Sequence, residues 1–368
     1  MLAPGVGPRT AARLLDHYGT PEAVLAAPGR CLTDSGVTLA AVAALKAPDP
    51  RSIERILAWN DQPDAHLLTR VDPRYPPLLA EIPDAPPLLY VRGDPSLLAE
   101  PQIAVVGSRN PTPTGVELTR DFARRLAGDG LLVTSGLAIG VDGAAHAGAL
   151  ESGRTIAVLG TGPDRVYPAV HRDLARRIAG CGALVSELPP GEGPVARNFP
   201  RRNRMISGLS LAVLVTEAAI KSGSLITARC ALEQGREVFA LPGSIRNPLA
   251  RGCHALIRDG AKLVEDPTEI LADLAPVLRG MIRADDSAAS EMPGAADGAA
   301  DGSRRRGGSL DADYCGLLDA MGFEPVATDE LIARTGRTAQ EVASMLLVLE
   351  LEGHVLSGPG GRFYRTGA

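Results

Sequence analysis

Cysteine, lysine and aromatic residues are all scarce in this chain, and each scarcity excludes something. The five cysteines, Cys31, Cys181, Cys230, Cys253 and Cys315, form no CxxC pair and no Cys/His spacing of a zinc site. Neither a structural metal nor a disulfide scaffold is expected, and the pattern fits reduced, mostly buried thiols in a cytoplasmic protein. No charged N-terminal segment leads into an apolar core, and no run approaches the ~18 apolar residues of a membrane span. Aromatic residues make up 3% of the chain, so a ring inside a polar motif stands out. Lys46, Lys221 and Lys262 are the lysines among 38 basic residues. Arginine is the default cation, and a lysine in a loop motif is conspicuous.

The most informative stretch is Arg197-Asn198-Phe199-Pro200-Arg201-Arg202-Asn203-Arg204, in a chain with five phenylalanines and a net charge of −5. Guanidinium groups hold phosphates and a flat ring stacks a base, which is what a single nucleic-acid strand needs. Arg197 to Arg258 contain ten Lys/Arg and three acids, a net of +7, which leaves −12 for the rest. No acid occurs between Glu192 and Glu217, unlike a solvated helix face, where acids are interspersed.

A length of 368 residues gives a prior of roughly two or three domains. Residues 1–65 read as short helices, opened by a Pro4-Gly5-Val6-Gly7 turn of the kind found in helix-hairpin-helix modules. With few residues before that turn, a packing role is favoured there over a DNA contact, and the N-terminus is expected to be shortened. The proline-rich segment from Pro73 to Pro101 reads as an extended connector. Beyond it, apolar runs at Ile103–Val106, Leu131–Thr134, Thr155–Leu159, Ala183–Ser186, Leu211–Thr216, Glu237–Leu241 and Lys262–Val264 alternate with helical stretches. That pattern predicts a doubly wound, mainly parallel α/β sheet covered on both faces, within a domain at 66–275. Residues 276–309 are rich in Ala, Gly, Asp and Ser, with Arg304-Arg305-Arg306 near the end, and read as a flexible linker. Residues 310–368 read as three helices and a glycine-tipped hairpin, a small winged-helix-like domain, with caps expected at Thr328 and at the Thr338/Glu341 capping box.

In a doubly wound sheet, ligands bind beyond the carboxyl ends of the strands. After the first run comes Gly107-Ser108-Arg109, which offers amide, hydroxyl and guanidinium donors around one point and is not a GxGxxG fingerprint. After the fifth comes Thr216-Glu217 and then Lys221-Ser222-Gly223-Ser224 at a helix start, a second anion site. After the second, Asp142 and His146 lie four apart on one helix face, either an acid–base couple or a mutually satisfied pair anchoring the helix. Gly160-Thr161-Gly162, Tyr167-Pro168 and Pro242-Gly243 complete a rim of loops.

Taken in order, VVGSRNPTPTG, TSGLAIGVDGAAHAGAL, TIAVLGTGPDRVYP, SELPPG, NFPRRNRMISGLS, VTEAAIKSGSLITARCALEQGREVFALPG and CHALIRDGAKLVED closely resemble the DNA-processing protein A (DprA, also called Smf) family. The resemblance implies a Rossmann-like single-stranded DNA-binding protein that protects incoming DNA in natural transformation. It also implies loading of the RecA recombinase, a homodimer formed through the Rossmann-like domain, and no cofactor and no catalytic residues. Carried over by position, the phosphate pocket falls on Gly107, Ser108, Arg109, Lys221, Ser222, Gly223 and Ser224. The stacking and basic groove falls on Phe199, Arg201, Arg202 and Arg204.

The alternative is a nucleotide-binding, phosphoribohydrolase-like enzyme of the same broad fold, using Asp142, His146 or Glu217 as acid–base groups. The PGGxGT-type loop of the cytokinin-activating enzymes is not found in the sequence. A double-stranded DNA regulator is disfavoured by charge. Asp311 to Ala368 hold nine acids and four arginines, and Thr338–Glu352 contains Glu341, Glu350 and Glu352 without Lys or Arg. Such a helix is repelled by a phosphate-lined groove, so a protein contact or an autoinhibitory one is expected of it.

Overall fold

Proline and short hydroxyl or acidic side chains mark where the first helices begin. In the computed structural model, which describes residues 5–289, 312–321, 326–351, 354–358 and 362–365, these are α1 (Pro8–Tyr18), α2 (Pro21–Ala26), α3 (Gly29–Asp34), α4 (Leu39–Lys46) and α5 (Pro50–Asn60). Proline opens α1, α2 and α5, where its missing N–H is not needed. Thr20, Thr38 and Asp49 accept first-turn amides of α2, α4 and α5. Val6, Leu14, Leu32, Ala41 and Val42 close one small core, so the Gly5–Gly7 turn contributes packing.

The proline-rich segment is more ordered than an extended connector. It follows β1 (Ala65–Thr69) and contains α6 (Pro77–Ala80) and β2 (Leu88–Gly93), with β1 and β2 antiparallel. Pro86 and Pro87 precede β2 and Pro95 follows it, so no proline removes a donor from its ladder. Tyr90 of β2 is buried against Trp59 of α5, ring centroids 5.7 Å apart, which packs the helical region on the sheet. Arg236 donates to the Leu78 carbonyl (2.9 Å) and pairs with Glu81, fixing the turn at α6.

Each of the seven apolar runs forms a strand. The order is β3 (Gln102–Val106), α7 (Pro113–Gly128), β4 (Leu132–Ser135), α8 (Val141–Ser152), β5 (Thr155–Val158), α9 (Arg172–Cys181), β6 (Ala183–Ser186) and α10 (Asn198–Leu209). Then come β7 (Ala212–Val215), α11 (Ser224–Glu233), β8 (Glu237–Ala240), α12 (Arg251–Arg258), β9 (Lys262–Leu263) and α13 (Pro267–Ala289). The sheet runs β1-β2-β6-β5-β4-β3-β7-β8-β9, parallel from β6 to β9, with β2 antiparallel to β6. The chain winds outward from β3 to β6, then returns to lay β7 on the other side of β3. Alternate residues face two cores: Ala104, Val106, Val213 and Val215 one way, Ile103, Val105, Ala212 and Leu214 the other.

Where composition suggested linker from residue 276, helix continues. α13 runs through Pro276 to Ala289, its start anchored by buried Ile270 and Leu274. The rest of the expected linker, Arg304–Arg306 included, lies outside the described residues. The cysteine expectation is also corrected: Cys253 is buried and Cys230 half-buried, but Cys31 and Cys181 are exposed on the outer faces of α3 and α9.

Residues 292–368 form a second compact unit. It holds α14 (Ala312–Met321), β10 (Val326–Ala327), α15 (Thr328–Thr335), α16 (Ala339–Leu351), β11 (Val355–Gly358) and β12 (Arg362–Arg365), the strands in antiparallel order β10-β12-β11. Leu317, Leu331, Val342, Leu346 and Val355 make its core. The capping box forms at α16: the Thr338 backbone and hydroxyl both donate to Glu341 (2.9 and 2.8 Å), and the Glu341 amide donates back (3.3 Å). Thr328 does not cap α15. The helix begins at Thr328 itself, and no side chain accepts its first amides.

Candidate nucleic-acid interface

The reversal of winding between β3 and β7 places two loops from distant parts of the chain side by side. Val106 pairs with Val215 at the carboxyl ends of these strands. Just beyond, the Ser108 amide donates to the Glu217 carbonyl at 2.6 Å. Gly107 permits that approach, because a Cβ there would stand 2.7 Å from Val141 and 2.8 Å from the Glu217 carbonyl oxygen. The Glu217 carboxylate accepts the Thr112 amide and hydroxyl, both at 2.8 Å, and Asn247 Nδ2 at 3.1 Å. It sits at the N-terminus of α7, where a negative charge complements the helix dipole. Glu217 is a clamp, with its oxygens occupied.

A cavity of about 780 Å³ opens over this junction. Gly107, Ser108, Arg109, Phe199, Arg202, Lys221, Ser222, Gly223 and Ser224 all line it, with Asp142 in its wall. Nine sequence-predicted site residues are therefore brought together. The Ser222 and Ser224 hydroxyls lie 2.7 Å apart, and Ser222 Oγ accepts the Ser224 amide at 3.3 Å. Nothing stands within 4 Å of where a Gly223 Cβ would be, so the start of α11 is open to a ligand. Lys221 and Arg109 are exposed, and neither has a hydrogen-bond or ion-pair partner among the described residues. The half-buried Phe199 ring lies 5.5 Å from the Tyr167 ring, beneath the Arg109 guanidinium at 5.9 Å. Gly160 backs the ring edge, where any Cβ would collide with it.

The basic run itself divides. Arg201 and Arg204 do not line the cavity. Both donate to Glu187, at 2.9 and 2.6 Å, and Arg204 Nε also lies 3.5 Å from Asp84. Glu187 and Arg204 are buried, whereas Arg201 keeps 38% of its side chain exposed. Burial raises the Glu187 pKa, opposed by the two arginines. Arg204 is thus a structural ion-pair member, contrary to the expected groove. Arg202 is buried in the cavity floor, donating to the Val158 carbonyl at 2.8 Å, and burial lowers its pKa to about 10 against the opposing pull of Asp142. Counting charges within 197–258 missed this, because Asp84, Asp142 and Glu187 lie outside that window. Tyr167, mentioned as part of the rim, and exposed Arg197 at the start of α10 were not chosen as site residues. An aromatic separated from Phe199 by α9 and β6 carries no sequence signal of the pairing.

Asp142 and His146 are not each other's partners. The Asp142 carboxylate accepts the Gly136 and Ala138 amides (3.1 and 3.3 Å), and burial raises its pKa while nearby Arg202 opposes. The Thr155 hydroxyl donates to the Val133 carbonyl, so His146 Nδ1 donates to Thr155 at 2.8 Å. Nε2 is left as a buried acceptor without a partner in the structure. Burial first, then the charges of His171 and Arg202, push the His146 pKa down to about 3. Both residues anchor α8, separately.

With this geometry in place, comparison with known proteins decides the family. Residues 66–275 match the model of DNA recombination-mediator protein A, and residues 303–361 match the DprA winged helix domain. The chain belongs to the DNA-processing protein A family. It is 44% identical over 332 residues to Protein Smf of Escherichia coli K12, covering 90% of this chain and 85% of the relative. It is 47% identical over 204 residues to the DNA processing protein DprA of Streptococcus pneumoniae R6, covering 55% of this chain and 72% of that one. The X-ray structure of Streptococcus pneumoniae DprA superposes with a TM-score of 0.66 at 37% identity, covering 73% of this chain and 94% of that chain. A Helicobacter pylori family member, solved for its single-stranded DNA binding mode, superposes with a TM-score of 0.52 at 31% identity over 57% of this chain and 95% of that one.

Two measurements test these assignments. Removing Arg204 strands the buried Glu187 beside one half-exposed partner, so Arg204→Ala should cost on the order of 3 kcal/mol in the unfolding free energy obtained by denaturant titration, with nucleic-acid affinity of the folded chain near wild type. Full stability with lost affinity would return Arg204 to the groove. For His146, the unfolded imidazole takes its proton near pH 6.5 and the folded one near 3. The unfolded state binds the extra proton between those values, so stability falls as pH drops through that window, by up to about 1.4 kcal/mol per pH unit. Thermal midpoints of His146→Gln should decline less between pH 7 and 5 than those of the wild type. Parallel declines would count against the buried neutral ring.

Proposed function

We propose that the chain binds single-stranded DNA in the cavity at the β3/β7 switch point. The backbone lies against Ser108, Arg109, Lys221 and the Ser222–Ser224 turn, and one base stacks on Phe199. The observation that carries this reading is two exposed cations, with no hydrogen-bond or ion-pair partner among the described residues, lining one cavity with a half-buried ring, the combination of phosphate holder and stacking platform that a single strand requires. Family membership and the single-stranded DNA binding mode named for the Helicobacter pylori relative support it. Arg202 in the floor adds buried positive charge balanced by Asp142.

In this reading the chain is a non-catalytic DNA-processing protein of transformation and recombination. It protects incoming single strands and hands them to the RecA recombinase, as a cytoplasmic homodimer whose subunits join through the domain at 66–275. Among the described residues no helix is long and apolar enough to cross a membrane. The N-terminal helical region (1–65) packs on that domain, and the acidic winged-helix unit (310–368) serves protein contacts, since α16 carries no lysine or arginine. Nucleotide hydrolysis is disfavoured because its acid–base groups are engaged: Glu217 by three donors, Asp142 by two amides, His146 by Thr155.

Binding titrations across salt concentration test the reading. Arg109→Ala and Lys221→Ala should each weaken binding to all single-stranded sequences and lower the logarithmic salt slope by about 0.7, one phosphate each. Phe199→Ala should reduce affinity by about 1–3 kcal/mol with the slope nearly intact, since a ring releases no counterion. Unchanged slopes in both cation variants would remove backbone phosphate from the cavity. Free base released from nucleoside monophosphates by the wild type would establish the hydrolase instead.

A further inference from the structure

The loop after β8 carries an exposed cation, Arg246, beyond those that line the cavity. Because β3, β7 and β8 are neighbours, the loops that follow them stand in a row. Each presents an exposed cation with no hydrogen-bond or ion-pair partner for its side chain among the described residues: Arg109, Lys221 and Arg246. Adjacent strands are about 4.8 Å apart, so the ends of β3, β7 and β8 fall within about 10 Å of one another. The last two loops are tied together. The Ala218 amide donates to the Leu249 carbonyl and the Gly252 amide to the Ala218 carbonyl, both at 2.7 Å. Asn247 reaches Glu217 at 3.1 Å, the same carboxylate that holds Thr112 in the first loop.

The β7 and β8 loops also repeat one device, an exposed isoleucine followed by a free cation. Ile220-Lys221 has its isoleucine 59% exposed, and Ile245-Arg246 has its isoleucine 81% exposed. Residues 241–251 contain two arginines and no acid, so nothing in that loop competes with a phosphate for Arg246. A single exposed isoleucine is unremarkable. Two in register, each beside an unpaired cation and continuous with a cavity of the same character, make a surface that fits a strand of alternating phosphate and apolar sugar or base.

We propose that a single strand leaving the cavity past Lys221 continues over the β8–α12 loop, with Arg246 on the next backbone phosphate and Ile245 against a sugar or base face. The inference rests on the reading of the cavity as a single-strand site. Its test is full-length chain titrated with a short oligothymidine, about 4 nucleotides, and a long one, about 16 nucleotides.

Arg246→Ala should bind the short oligonucleotide like wild type and the long one several-fold more weakly, with the long-strand salt slope lowered by about 0.7. Arg246→Lys should restore the slope. Ile245→Ser should weaken the long complex without changing the slope. Lys221→Ala, run alongside, should weaken both lengths. If Arg246→Ala matches wild type on the long strand while Lys221→Ala is impaired, the extended path is overturned and the cavity reading stands. If both variants match wild type, the cavity reading itself fails. An equal loss at both lengths, or a changed oligomeric state by sedimentation with affinity per subunit unaltered, assigns Arg246 elsewhere and also overturns the path.

Discussion

The structure depends on the parallel pairing of β3 with β7. These strands are more than a hundred residues apart in sequence, and their pairing is what makes one site out of two loops. The ladder stops at Val106 and Val215, and the contacts continue past it: Ser108 onto the Glu217 carbonyl, then the Glu217 carboxylate onto Thr112 and Asn247. A carboxylate in the middle of a proposed anion site is at first sight misplaced. Its oxygens are filled by donors and it faces the positive end of α7, so it organises the loops without repelling a ligand. The same clamp reaches the β8 loop through Asn247, which ties the loops after three neighbouring strands together.

Positive charge in this region is divided between holding the fold and facing solvent. Arg204 and Glu187 are buried together, with Arg201 half in and half out, and Arg202 is sealed in the cavity floor near Asp142. Buried pairs of this kind add little net stability but are costly to break, and they fix α10 so that Phe199 projects at its start. Among the described residues, the cations without a hydrogen-bond or ion-pair partner on the loops here include Arg109, Lys221 and Arg246. The Ser222 and Ser224 hydroxyls at the start of α11 complete the polar lining.

Much of this was legible in the sequence. Continuous apolar runs of strand length, such as Ile103–Val106 and Leu211–Thr216, fit strands buried on both faces, so the doubly wound sheet and the edge where a ligand is expected followed from them. Glycine, hydroxyl and cation clusters after the first and fifth runs then named the cavity lining. Less legible were features set by partners distant in sequence. Prolines hid β2 because their positions outside its ladder are visible only once the pairing is known. Arg204 looked like groove because Glu187 and Asp84 lie outside the basic window. Asp142 and His146 looked like a pair because helix spacing says which residues share a face and not which way each side chain turns. Tyr167 joins Phe199 through strand order, which spacing does not encode.

The central claim, that a single strand occupies the switch-point cavity, is tested most directly by ultraviolet crosslinking of the full chain to a short oligothymidine, followed by mapping of the modified peptides. The account expects crosslinks at Phe199 and Tyr167, lost on competition with unlabelled single strand and not with duplex of equal length. Crosslinks confined to the winged-helix unit, or to residues remote from the carboxyl edge of the sheet, would contradict it.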